Sequence, residues 1–129
     1  MIQLLALGCI LLAAGWLAFV ALICLFAPAR ARAGLASMGS NATIQFGEHI
    51  PRAIVGIAFV ARAAESKVPM VFSIFGWFLL ASSLMIMLAP RAWHQAYARW
   101  WAERIALSFY RVAAIPTLFV AAAIVYAAM

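Results

Sequence analysis

The sequence predicts an all-α integral membrane protein of four transmembrane helices. They form a possible tandem repeat of two helix pairs, with an amphipathic interfacial helix between spans three and four. Three observations predict it. Hydrophobic residues make up 70% of the 129-residue chain and charged residues only 9%, where soluble domains carry about a quarter charged. Three apolar stretches (residues 2–27, 68–89 and 106–128) each reach the roughly 20 residues that a helix needs to cross about 30 Å of hydrocarbon. The basic residues, nine against three acids, cluster in the connections rather than in these stretches.

Span one, residues 2–27, opens with Met1-Ile2-Gln3 and has no basic leader. Its apolar run exceeds the core of a typical secretion signal, so it reads as a retained helix. Cys9 and Cys24 lie about 22 Å apart along that helix and cannot pair with each other; buried small hydrophobes are their expected role. Gly8, Gly15, Ala18 and Leu22 share one stripe, and Gly56 lies amid Ala53 and Val60 in span two; such small residues suit close helix packing.

The first connection, residues 29–49, contains Gly34, Gly39, Ser40, Asn41 and Gly47. These residues predict an irregular segment with a short helical turn near residues 33–38. Asn41-Ala42-Thr43 matches a glycosylation sequon, but it falls on the side expected to face the cytoplasm and carries no weight.

Span two is the weak one. Arg52 and Arg62 bracket nine uninterrupted apolar residues, 53–61, about 14 Å of helix. Snorkelling arginines extend the crossing to residues 49–64. The distribution of cations favours that crossing. With four spans, Arg30, Arg32, Arg52, Arg91, Arg99, Arg104 and Arg111 share one side, and Arg62 and Lys67 the other. With three spans there is no clear excess. Cytoplasmic loops carry the excess of Lys and Arg, so both termini are expected outside, in the periplasm of an inner membrane.

Residues 64–69 form a tight polar turn into span three, 68–89, with Pro69 near its start. Residues 91–105 then predict the interfacial helix. Trp93, Tyr97, Trp100, Trp101 and Ile105 fall on one face, and Arg91, His94, Gln95, Arg99 and Glu103 on the other, with Arg99 and Glu103 spaced to pair. Span four, 106–128, carries Arg111 near its start. Ser73, Ser82, Ser83 and Thr117 are available for hydrogen bonds between or within helices.

A tandem duplication is legible in two matches. Cys24-Leu-Phe-Ala-Pro28-Ala-Arg30 corresponds to Ile86-Met-Leu-Ala-Pro90-Arg91, and Arg52-Ala-Ile-Val-Gly-Ile-Ala-Phe-Val60 to the segment Arg111–Val120. Two-span units would repeat in the same orientation, giving a parallel repeat. The helix order and the Arg52–Phe59 motif resemble, generically, small bacterial inner-membrane proteins of four helices.

Chemistry is scarce. The three long spans contain no Asp, Glu, His or Lys, which argues against proton-coupled exporters built on an intramembrane carboxylate. Nothing has the spacing of a zinc site or of a nucleic-acid module. Two features stand out. Glu48-His49-Ile50-Pro51-Arg52 places acid, imidazole and guanidinium together, read as a helix cap with a snorkelling arginine. His49 and His94 could in principle hold a haem, but they come from interfacial segments, so neither cofactor nor metal is expected. Arg52, Arg111, Glu48, His49, Arg91, Arg99, Trp93, Trp100 and Trp101 are the candidate contacts to anionic phospholipid headgroups or to a partner. The expected role is a non-enzymatic accessory, structural or assembly subunit of a larger membrane complex, bound to other membrane proteins or to itself. The alternative is a small oligomeric transporter or channel for an anion or lipid.

Overall fold

The computed structural model describes residues 1–129 as six α-helices, one 3-10 turn and no strand. The helices are α1 (Ile2–Phe26), α2 (Pro28–Ser37), α3 (Ala42–Arg62), α4 (Pro69–Leu88), α5 (Arg91–Arg104) and α6 (Leu107–Ala128), with the 3-10 turn at Ala63–Glu65. Prolines punctuate the order. Pro28 and Pro69 open α2 and α4, where a missing N–H costs nothing, and Pro90 stands at the N-cap of α5.

The helices α1, α4 and α6 are long and apolar enough to cross a membrane, and α3 is not. All four nonetheless run between the same two ends of the bundle. At one end the Gln3 side chain donates to the Ala61 carbonyl (3.0 Å), and the Lys67 backbone N–H donates to Ala127 (2.9 Å). At that end Arg62 Nε donates to Ala128 and Lys67 Nζ to Tyr126, which sets cations against the negative terminus of α6. At the other end, Arg32 of α2 donates to the Ile105 carbonyl (2.7 Å). There α2 lies against α5.

Pairing is closest between α3 and α4, which run antiparallel. Gln45 Nε2 reaches the Ile86 carbonyl, Arg52 reaches Ser82, Gly56 meets Gly76, and Phe59 stacks edge-on with Phe72 at 4.8 Å. The other close pair is α1 with α6. Exchanging the halves α1–α3 and α4–α6 carries the first pair onto the second and α2·α5 onto itself. The packing of α1 on α3 has no comparable counterpart between α4 and α6.

Two expectations about α3 need correction. The helix begins at Ala42 rather than His49 and ends at Arg62. Asn41 supplies the cap, its Oδ1 accepting from the Ile44 N–H at 2.8 Å, as short polar side chains do at helix starts. The helix passes through both Gly47 and Pro51. Internal glycine costs about 1 kcal/mol and internal proline about 3; burial of the Gln45, His49, Ala53, Gly56 and Phe59 stripe offsets them. The first connection is likewise more ordered than expected, since α2 is a ten-residue helix.

The core is thin, with 23 of 129 residues buried. Ile10, Phe59 and Phe72 centre it, with Ala6, Ala58, Ala63 and Ala128 around them. On α1 the buried positions are Ala6, Ile10, Ala14 and Ala21. An added Cβ at Gly8 or Gly15 would meet nothing within 4 Å, so those glycines do not bring helices together. Gly15 and Ala18 instead line a shallow apolar groove with Leu118 and Val125 of α6. Both cysteines are free.

Candidate functional site

The inward stripe of α3 changes character along its length. Toward the 3-10 turn it is Ala53, Gly56 and Phe59; toward α2 and α5 it is Gln45, His49 and Arg52, still on one face by helical spacing. Gln45 and His49 are 3% and 5% exposed. From α4, Ser82 accepts a hydrogen bond from the Arg52 guanidinium at 2.9 Å. Ser83, fully buried, stands level with His49 in the antiparallel register.

The third wall comes from α5. His94, placed by sequence on the outward polar face, turns inward on the same side as Ala98 and Ala102, which are buried. Its ring meets that of His49 edge to face, centroids 5.0 Å apart. Gly39 closes the site from the α2–α3 turn. Its φ of +72° lies in the left-handed region, and an added Cβ would come within 3.1 Å of both His94 Nδ1 and the Gln95 backbone N. Glycine meets both demands.

The two features that stood apart in the sequence, the Glu48–Arg52 segment and the histidine pair, are thus one cluster. Glu48 does not cap the helix, because the N-cap lies seven residues upstream at Asn41. The direct ring contact also leaves no room for a macrocycle between the imidazoles. No group of three or more metal-ligating side chains comes together.

The cluster is rich in buried polar atoms without a protein partner. They include Gln45 Oε1, Glu48 Oε2, both nitrogens of His49, Arg52 Nε, Ser83 Oγ and His94 Nδ1. Of the ten such atoms in the chain, nine lie at this end of the bundle and one, Gln3 Oε1, at the other. Buried polar groups without partners are expensive, and concentration at one place marks a site rather than scattered loose packing. Arg52, half-buried, makes no ion pair; the one salt bridge joins Arg62 to Glu65. Burial first, and then the charge of Arg52, hold the His94 imidazole below its ordinary value of 6.5.

The remaining candidates stay outside. Arg111, Arg91 and Arg99 are exposed, and Arg99 does not pair with Glu103. Arg52 and Arg111, expected to be equivalent, therefore occupy different settings. Trp93, Trp100 and Trp101 are exposed on the outer side of α5, at 71%, 46% and 41%. Trp100 stacks edge-on with Trp101 at 4.9 Å, and the Arg104 guanidinium lies 4.0 Å from the Trp100 ring centre. What sequence reasoning missed was the inward turn of His94 and the role of Gly39; Ser82, read as available for a bond between helices, makes one to Arg52. Spacing held a partial signal, because His94, Ala98 and Ala102 recur every four residues.

No protein-family model, curated protein or solved structure matches this chain.

Proposed function

We propose that this chain is a non-enzymatic integral membrane protein of four spans, serving as an accessory or assembly subunit of a larger inner-membrane complex. The observation that carries the subunit reading is an inversion of side-chain size. The buried hydrophobic positions are mostly alanine, while Leu12, Trp16, Trp77, Phe78 and Phe119 point outward, each more than half exposed. That surface suits lipid and helices of a partner. Purification in mild detergent tests it: a partner or further copies should co-purify, and a lone 14 kDa monomer would count against it.

Four spans are supported by the course of α3, which lies along α4 over its whole length and keeps Gln45, His49 and Arg52 inward. The basic end, with α2 and α5, is then cytoplasmic and both termini periplasmic. In a background with Cys9 and Cys24 replaced by alanine, Ser37→Cys and Ala96→Cys should label from the cytoplasm. Ala64→Cys should label from the opposite side; labelling of Ser37→Cys and Ala64→Cys from one side, with Ala96→Cys on the other, would return three spans. Exchange of α3·α4 with α6·α1 supports a parallel duplication of a helix, a basic interfacial helix and a second helix.

The polar cluster favours a second reading, a small oligomeric transporter or channel for an anion or lipid, because ionisable groups within a membrane bundle mark pathways. Flux into liposomes that is unchanged by Arg52→Ala would remove that residue from the path.

A further inference from the structure

We propose that Arg52, His49 and His94 form an oxyanion site inside the basic end of the bundle, which takes up a proton together with a phosphate- or sulfate-type anion. The site goes beyond the role proposed above and holds whether the chain acts alone or as a subunit.

The guanidinium has five N–H donors in a fixed fork. One nitrogen of Arg52 is engaged by Ser82, and Nε has no partner. A half-buried cation without a carboxylate calls for an anion, and planar donors suit an oxyanion. The imidazoles supply what Arg52 lacks. Both nitrogens of His49 and Nδ1 of His94 are buried and unpartnered, and the rings touch. Protonating either ring alone sets a second cation against Arg52. With an oxyanion present, the same proton adds a charge-assisted N–H donor to it. Anion and proton therefore favour each other, as linked ligands must.

Beside the two imidazoles, Glu48 is the further titratable group of the cluster. From α3 the charged neighbours are Arg52 and Glu48, which make no ion pair. From α4 come the Ser82 and Ser83 hydroxyls; that helix has no ionisable residue. The α2–α3 turn presents Gly39. On α2, Arg32 is engaged at Ile105. From α5, Arg91 lies one turn before His94 and is exposed, and α6 contributes the Tyr110 hydroxyl at this end. The anion could come from solution or from the phosphodiester of a lipid.

The test uses the full chain, delipidated in maltoside micelles, with sulfate as probe because sulfate does not titrate between pH 5 and 8. Calorimetry in two buffers of different ionisation enthalpy reads proton uptake on the unmodified protein. Sulfate should bind with up to one proton, at least fivefold more tightly at pH 5.5 than at pH 7.5. That span allows up to about tenfold per pH unit for one linked proton. Arg52→Gln should abolish binding, His94→Gln should flatten its pH dependence, and Arg30→Gln, an exposed change on α2, should leave both unchanged. If sulfate fails but added phosphatidylglycerol gives the same uptake and the same loss in Arg52→Gln, the site stands with a lipid phosphodiester as ligand. If neither ligand brings a proton, or Arg52→Gln binds as the parent does, the proposal is wrong.

Discussion

Gly76→Ala should separate α3 from α4. An added Cβ at Gly76 would lie 2.7 Å from the Gly56 carbonyl oxygen and 2.8 Å from the Val60 backbone N. At Gly56 the mirror contacts are 2.8 Å to the Gly76 oxygen and the Leu80 N. Most of these obstacles are backbone atoms, which no rotamer change removes. Ordinary contact starts near 3.4 Å, so the helices must part by about 0.6 to 0.7 Å. Overpacking of this kind costs about 1–3 kcal/mol. A loss of about 2 kcal/mol lowers the folded-to-unfolded ratio about 30-fold. The assay is reversible unfolding in mixed micelles with increasing SDS, followed by circular dichroism. Gly15→Ala is the control, because its Cβ meets nothing within 4 Å and alanine favours helix by about 1 kcal/mol. Gly76→Ala and Gly56→Ala together should cost less than the sum, since one separation accommodates both methyls. If Gly76→Ala unfolds at the same SDS fraction as Gly15→Ala, the close approach of the two helices is refuted.

Three further outcomes follow from the structure. The His94 imidazole is held below 6.5 in the fold, so the unfolded chain takes up the proton first; without anions, stability should be full above about pH 6.5 and fall toward pH 5. His94→Gln should flatten that profile, and an unchanged slope would place the titration elsewhere. Asn41→Ala removes the cap of α3 and should cost about 1 kcal/mol in the same unfolding assay, with no loss counting against the bond to Ile44. If α5 lies in the headgroup layer as its exposed tryptophans suggest, replacing Trp100 and Trp101 together with Asp should reduce stability in membranes; a double variant as stable as the parent would make α5 a solvated segment.

The elements were largely legible in the chain, and the reasons differ by residue. Long apolar runs become α1, α4 and α6, each long and apolar enough to cross a membrane, where a backbone finds no partner but its own helix. Pro28, Pro69 and Pro90 mark their boundaries through a missing N–H. The helix α5 was readable from the spacing of Trp93, Tyr97, Trp100 and Trp101. The start of α3 was not. Gly47 and Pro51 are local breakers, and their cost is offset by burial of side chains against α4, which local sequence does not contain. The small residues of span two read correctly at Gly56, while those of α1 misled for the same reason: glycine permits close approach, but only the neighbouring helix decides where it happens, and here it is at Gly56 and Gly76.

Within the site, composition alone determined that His49, Arg52 and Glu48 would be rare polar groups in an apolar chain, and that their charges would sit toward one end. It could not join His49 to His94, which are 45 positions apart in the sequence. That contact exists because α2 and α5 pair across the basic end and the left-handed turn at Gly39 admits the His94 ring. Hydropathy and charge are properties of each segment and are written in its residues. Which polar groups lose water together depends on how the segments pack, and for these two histidines that was settled by helix pairing and the turn at Gly39.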